Sequence, residues 1–351
     1  MTPGDGGKVY IYQNSNATAP TVLTNAPTAA NFVFVENNSV CVVYNNIFYA
    51  SDLGNATVWT PSATNLSFFD TIEGAEVFLA AVNIREGVLL FSTNQVWLAR
   101  YVGQSSGLWA FELVDNTAGL ASPLSAVSIN GVAYWVGQFD IFTYDGGVAR
   151  AIPNTVKQYV GLTQSASQFY KSFLRVNRIF NEIWFHYPDA VTGEPSQYAI
   201  YNYVEGTFAL GTIDRTAAES PFQADFNPIM IDSDNVLWRH EVGVDDGDDA
   251  MDCYAETNYF MLGSGDSTMR IMGIRPDSTQ VGDLDFTITT KLHAQSTDKR
   301  TFGSYAITPT TEKVDVDAHG RLVKYKFAQN ALGENFIMGG WYQGLQESSP
   351  Q

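Results

Sequence analysis

The chain has 351 residues, enough for one large domain or a large domain with a smaller companion. Charged residues make up 16%, and 19 basic against 37 acidic residues give a net charge of −18. This composition excludes a nucleic-acid-gripping surface of clustered Lys and Arg, because the densest basic groups, Lys299-Arg300 and Lys313-Arg321-Lys324-Lys326, are thin.

The charge fraction lies below the roughly 25% usual for soluble domains. Either other chains cover part of the surface, or Ser, Thr, Asn and Gln do the solvating. Aromatic residues reach 13%, as strand-rich proteins prefer. Cys41 and Cys253 fall in no C-x-x-C or zinc spacing and are expected as free thiols. Met1–Gly7 lacks the charged-then-apolar pattern of a signal segment, and no apolar run reaches the roughly 18 residues of a membrane helix.

In chain order, Lys8–Gln13 predicts a first strand and Asn14–Ala30 a loop. Phe32–Val35 and Ser39–Tyr44 flank the turn Glu36-Asn37-Asn38, and Ile47–Ala50 pairs back across Asn45-Asn46. Trp59-Thr60-Pro61 closes this unit. A meander follows over Val77–Asn83, Gly87–Ser92 and Gln95–Tyr101, with Trp109–Val114 as its fourth strand. A third unit spans Ala126–Ile129, Val132–Val136, Asp140–Tyr144 and Ala149–Ile152. Its two-residue turns are Asn130-Gly131 and Asp145-Gly146. Gln164–Phe173 predicts a short helix. The fourth unit holds Arg175–Phe180, Glu182–Tyr187, Gln197–Tyr203 and Thr207–Ile213; the fifth opens with Ile229–Ile231 and Val236–His240.

Five stretches share one pattern, in which a turn residue is followed three positions later by an aromatic. They are Asn46→Tyr49, Asn94→Trp97, Gly131→Tyr134, Asn181→Trp184 and Asn235→Trp238. Their spacing is compatible with blades of about 40–50 residues. The expected fold is all-β: a β-propeller-like domain over residues 1–243 and a β-sandwich-like platform domain over 244–351. A single sandwich with long strands is the alternative. The second domain rests on Glu256–Leu262, Ser267–Ile274, Leu284–Leu292, Gly303–Ile307, Lys313–Val316, Leu322–Ala328 and Asn335–Tyr342, with Gln346–Gln351 as a polar tail. Leu322–Phe327 alternates with period two, so one face is buried.

Few residues suggest chemistry. Asp245, Asp246, Asp248, Asp249 and Asp252 crowd an acidic loop around Gly247, but the EF-hand order is missing. A solvated turn is the plainer reading. His186, His240, His293 and His319 form no metal-ligand pair, and each reads as structural. Ser51–Trp59 faintly matches the structural Asp-box hairpin of sialidase propellers, with the Asp misplaced and the Trp late. No catalytic, cofactor-binding or metal residue is assigned, and no enzyme activity is expected.

Ordered short segments carry a family resemblance. They are Asn45–Asp52, Phe180-Asn-Glu-Ile-Trp-Phe-His-Tyr-Pro188, Tyr201–Phe208, Ile213–Ala217, His240–Gly243, Asp317–Arg321 and Met338-Gly-Gly-Trp341. Together, from Phe32 to Trp341, the chain resembles the tail nozzle proteins of short-tailed bacteriophages, also described as tail tubular protein B or packaged DNA stabilisation proteins. It looks shortened at the N-terminus relative to them and lacks a basic ending. The resemblance implies a homohexameric ring in the virion tail, assembled in the bacterial host cytoplasm. Its expected partners are a tail adaptor or connector protein and tail fibres or spikes. Genomic DNA would pass through the lumen without specific binding. Two other readings stay open: a carbohydrate- or receptor-binding propeller of a phage tail, and a glycoside hydrolase with two carboxylates about 5–9 Å apart.

Overall fold

A computed structural model describes residues 7–12, 19–104, 107–138, 140–219, 227–261 and 267–347. The outer parts of the predicted first strand and of the polar tail lie outside the described residues. The chain divides into two compact units, Met1–His240 and Glu241–Gln351.

The first unit is a β-propeller-like succession of small antiparallel sheets. A two-stranded ribbon, β1 (Tyr10–Ile11) with β2 (Thr21–Val22), comes first, so part of the predicted Asn14–Ala30 loop is strand. Four four-stranded meanders follow. The first is β3 (Phe32–Glu36), β4 (Ser39–Tyr44), β5 (Ile47–Ala50) and β6 (Phe68–Thr71). The second is β7 (Ala80–Ile84), β8 (Gly87–Phe91), β9 (Val96–Gln104) and β10 (Gly107–Asp115). The third is β11 (Ala126–Ile129), β12 (Val132–Val136), β13 (Ile141–Tyr144) and β14 (Arg150–Ala151). The fourth is β15 (Phe173–Asn177), β16 (Glu182–Pro188), β17 (Pro195–Asn202) and β18 (Thr207–Thr212). A three-stranded sheet ends the unit: β19 (Ala217–Glu219), β20 (Ile229–Ile231) and β21 (Leu237–Arg239).

The opening strands of successive sheets are neighbours: β3 lies beside β7, β7 beside β11, β11 beside β15 and β15 beside β19. Aromatic rings fill the joints between sheets. Phe48 meets Trp109 at 4.8 Å, Phe91 meets Trp135 at 5.2 Å, and Tyr134 meets Tyr201 at 6.4 Å. Phe48, Phe91 and Trp135 are wholly buried. Burying each of these side chains contributes about 1.5–3 kcal/mol or more.

Asparagine makes many of the turns. Asn37, Asn38, Asn45, Asn130, Asn181 and Asn235 all adopt positive φ, which Asn tolerates better than other side chains. Asn130 and Gly131, at φ 54° and 83°, both supply the left-handed geometry of a two-residue hairpin. The link after β13 is longer than predicted: it runs from Asp145 to Ala149, with Gly146 and Gly147 at positive φ.

Three local expectations change. Trp59 does not close the first sheet; it packs on Val9, Leu23 and Val42, and β6 closes the sheet instead. The predicted helix Gln164–Phe173 is a 3-10 turn at Ala166–Lys171, preceded by a true helix, α1 (Lys157–Thr163). The five turn-to-aromatic pairs are not one structural position either. Tyr49, Trp97 and Trp238 stand on the third strand of their sheets, Tyr134 and Trp184 on the second.

The second unit is a β-sandwich. One sheet runs β22 (Cys253–Glu256), β28 (Leu322–Gln329), β25 (Leu284–Lys291), β26 (Arg300–Ile307), with β23 (Phe260–Met261) also on β28. The other runs β27 (Val314–Gly320), β24 (Met269–Val281), β29 (Asn335–Glu347). Period-two alternation is explicit: β27 buries Val314, Val316 and Ala318, and β28 buries Val323, Tyr325 and Phe327. Ile271, Ile274, Phe286, Ile288 and Ile307 join them in one core. Trp341 of β29 reaches over to Phe327 at 5.5 Å. β24 continues through Pro276, beyond the Ile274 end read from sequence. Its pairing with β27 stops at Ile274, so Pro276 sits where one side needs no N–H donor.

Candidate functional site

A cluster of chemically capable side chains lies between the fourth meander and the three-stranded sheet. β16 carries Trp184 and His186 on one face, two residues apart as strand geometry requires. β17 brings Tyr198, which stacks on Trp184 at 5.3 Å with planes 10° apart. His186 is wholly buried and stacks on Phe173 of β15. Neither its Nδ1 nor its Nε2 has a hydrogen-bond partner. Burial pushes its pKa down to about 3, and the nearby His240, Arg215 and Arg175 push the same way. The ring is therefore neutral at pH 7.

His240 comes from the end of the three-stranded sheet. Its ring meets Trp184 edge-on at 5.9 Å, and its Nε2 accepts a hydrogen bond from Arg215 Nε at 2.9 Å. Arg215 is only 4% exposed, and its guanidinium lies 4.9 Å from the centre of the Trp238 ring. Arg175 donates to the carbonyls of Ala218 and Leu174, and burial lowers its pKa. Two of the five aromatic positions, Trp184 and Trp238, thus end at one cationic joint. An enclosed imidazole with no partner exchanges protons poorly with solvent. The arrangement ties β16 to the end of the three-stranded sheet through Trp184 and His240.

Of the four histidines, the fold gathers His186 and His240. In the sandwich, His319 contacts Arg300 at 3.1 Å and Phe302 edge-on, and His293 is exposed in a turn.

The acidic loop closes on itself through Asp246 and Asp249, whose backbones exchange two hydrogen bonds of 3.0 and 3.2 Å. Asp245 accepts from Gly333 N at 2.8 Å. Among the described residues no three His, Cys, Asp or Glu side chains converge as metal ligands. Cys41 is buried and Cys253 half-buried, both are free, and burial raises both thiol pKa values.

The Asp-box-like hairpin is held by its own chemistry. Asp52 accepts from Leu66 N at 2.8 Å, and the Trp59 indole donates to the Ala56 carbonyl at 2.7 Å. A similar device went unread in the sequence. Asp189 accepts from the backbones of Val191 and Thr192 and from the hydroxyls of Thr192 and Ser196. Burial pushes its carboxyl up, but these donors prevail and hold it well below the usual range. Asp-Ala-Val-Thr-Gly is an Asx-turn pattern, so turn chemistry could have found it.

Two hollows are notable. One, about 200 Å3, lies beneath α1 and is walled by Val136, Ile141, Val160, Phe169 and Phe185. The other, about 590 Å3, is a groove in the sandwich lined by Met272, Arg275, Lys313 and Tyr342.

No family model and no curated protein matches the chain. Solved structures do, at low identity. Kluyvelomyces marxianus Hsv2 is 8% identical, with a TM-score of 0.40 over 63% of this chain and 66% of that one. The N-terminal domain of Nup159 is 11% identical, with a TM-score of 0.39 over 65% of each chain. The AfRom2 CNH domain is 11% identical, with a TM-score of 0.39 over 76% of this chain and 84% of that one. The chain spans just under two thirds of the Hsv2 and Nup159 chains it matches.

Proposed function

We propose that the protein is a structural component of a bacteriophage tail: a nozzle or hub subunit that forms a ring, retains packaged DNA and conducts it during ejection. One observation carries the reading. The segments that resemble the nozzle family lie, in order, on scaffold elements of both units. Asn45–Asp52 begins at the β4–β5 turn and runs past β5, and Phe180–Pro188 leads into and forms β16. Tyr201–Phe208 spans the β17–β18 turn, Asp317–Arg321 is the end of β27 with the residue that joins it to β28, and Met338–Trp341 is part of β29. A row of aromatic-jointed sheets makes a stiff wall, as a conduit needs.

Net charge supports the reading. Each Lys or Arg contact to phosphate releases counterions and strengthens binding, which slows passage. A surface carrying −18 per chain repels phosphate instead. The partners under this reading are further copies of the chain, a connector protein, and fibres or spikes.

The test is electron microscopy of the purified chain with light scattering, together with a gel-shift assay on duplex DNA at low salt. The expected result is a ring of six around an axial opening and no retained DNA. A monomer at every concentration, or DNA binding that weakens steeply with salt, overturns it. Binding on a glycan array would favour the receptor-binding alternative.

A further inference from the structure

We propose that the hollow beneath α1 is a binding site for a small neutral aromatic molecule, a single ring carrying one hydrogen-bonding group such as a hydroxyl. The inference stands apart from the ring reading above and does not depend on it.

The hollow forms where the third and fourth meanders meet. Val136 of β12, Ile141 of β13, Phe185 of β16 and Ala199 of β17 line it, with Val160 of α1 and Phe169 of the 3-10 turn. Protein interiors pack densely and leave few voids larger than a water molecule. This one measures about 200 Å3. An apolar cavity of about 150 Å3 already holds benzene.

α1 does not fill the space it covers. None of its seven residues is buried, Gly161 brings no side chain to the lining, and Leu162 is 76% exposed. The helix is held instead at its two ends. Lys157 Nζ meets Asp140 Oδ1 at 2.8 Å, and Thr163 Oγ1 lies 3.1 Å from the Tyr187 hydroxyl.

The lining selects the ligand by size, then by ring, then by charge. Val136, Ile141, Phe185 and Ala199 also border a slot that leads on toward Tyr134 and Tyr201, but it measures about 10 Å3. That is room for no more than about one water, so a long acyl chain is excluded and the occupant is compact. Phe169 meets Phe185 edge-on, ring centres 6.0 Å apart and planes at 79°, and Phe185 stacks on Tyr187 at 5.3 Å. A further ring extends this run, in the pairing geometries that aromatic groups prefer. The two charged groups of the lining, Asp140 and Lys157, satisfy each other. The two amides of the lining that flank α1 do not. Asn154 Oδ1 accepts from Val156 N at 3.0 Å, but among the described residues its Nδ2 and the side-chain amide of Gln164 have no partner. They can bond one neutral polar group, whereas an ionised ligand would lose its hydration without gaining a free counter-charge.

The test titrates the full chain with phenol, and separately with benzoate, and follows methyl resonances by NMR. Saturable shifts are expected at Val136, Ile141 and Val160. Benzoate is expected to bind at least about tenfold more weakly than phenol. Ala199→Leu places a larger apolar side chain in the hollow, and is expected to weaken phenol at least about tenfold while circular dichroism stays unchanged. Amides of 157–163 in wild type are expected to exchange with deuterium more slowly when phenol is bound.

No saturable shift, or shifts confined to other methyl groups, overturns the inference. Equal phenol affinity in wild type and Ala199→Leu places the binding elsewhere and overturns it too. Benzoate binding as tightly as phenol overturns the neutral class. Should Ala199→Leu unfold, the methyl shifts and the exchange of 157–163 in wild type decide.

Discussion

His186 lies flat against Phe173, ring centres 4.7 Å apart and planes within 13°, with both of its nitrogens unpartnered. A buried polar atom without a partner costs stability, whereas an apolar ring of similar shape in its place costs little. His186→Phe is therefore expected to match wild type within about 1 kcal/mol at pH 7, or to exceed it. The pH dependence has a definite sign. The folded ring titrates near about 3 and an unfolded one near 6.5. The unfolded chain binds the extra proton between these values, so wild type loses stability as pH falls below 6.5. This residue adds about 1.4 kcal/mol of loss per pH unit, and the variant lacks that contribution. Urea unfolding at pH 7, 6 and 5 measures it. Equal pH slopes in the two proteins refute a neutral, enclosed imidazole.

Asp189 organises a turn between β16 and β17 through four hydrogen bonds from Val191, Thr192 and Ser196. Removing the carboxylate leaves those donors without it. Asp189→Ala is expected to cost about 1–3 kcal/mol. The folded carboxyl titrates below its unfolded value, so its contribution is present above about pH 4 and fades as the solution is acidified through the folded value. Thermal melts of both proteins at pH 7 and pH 3 check the claim. The gap between them is expected to be smaller at pH 3.

The hairpins were legible because their signals are local. Asn130-Gly131 can take positive φ at both turn positions whatever surrounds it, and the alternation of Leu322–Phe327 fixes which side is buried. What stayed hidden depends on distant neighbours. Nothing near Phe68–Thr71 says that it, and not Trp59, completes the first sheet; that follows from pairing with β5 across a long connection. His186 looked like any lone histidine in a strand. The charges that act on it include His240 and Arg215, far along the chain, and Arg175 and Arg215 carry no motif. The equal offset of the five aromatics hid a change of strand, since the hairpin rule reports the turn and not which strands it joins.

Phe48 is wholly buried between the first two meanders, against Trp109 at 4.8 Å and Phe111 at 5.2 Å. Phe69, two strand positions from the sheet end, is 57% exposed. Phe48→Ala is expected to cost about 3–5 kcal/mol through lost contact and the cavity left behind. Phe69→Ala is expected to stay within about 0.5 kcal/mol. Urea midpoints of the two variants separate the cases, and similar losses would mean that the joint between these sheets is not where Phe48 lies.

Two glycines give opposite expectations for the same change. At Gly119 an added Cβ would stand 2.2 Å from the Thr93 carbonyl oxygen and 2.4 Å from Asn94 Cα. Both obstacles are backbone, so the β8–β9 turn must move, and Gly119→Ala is expected to destabilise by about 1–3 kcal/mol. At Gly161, inside α1, an added Cβ meets nothing within 4 Å. Alanine there restricts the unfolded chain and favours the helix, so Gly161→Ala is expected to stabilise by up to about 1 kcal/mol. Differential scanning calorimetry of the two variants reads opposite shifts in melting temperature. A lower value for Gly161→Ala would mean that α1 does not persist as a helix in solution.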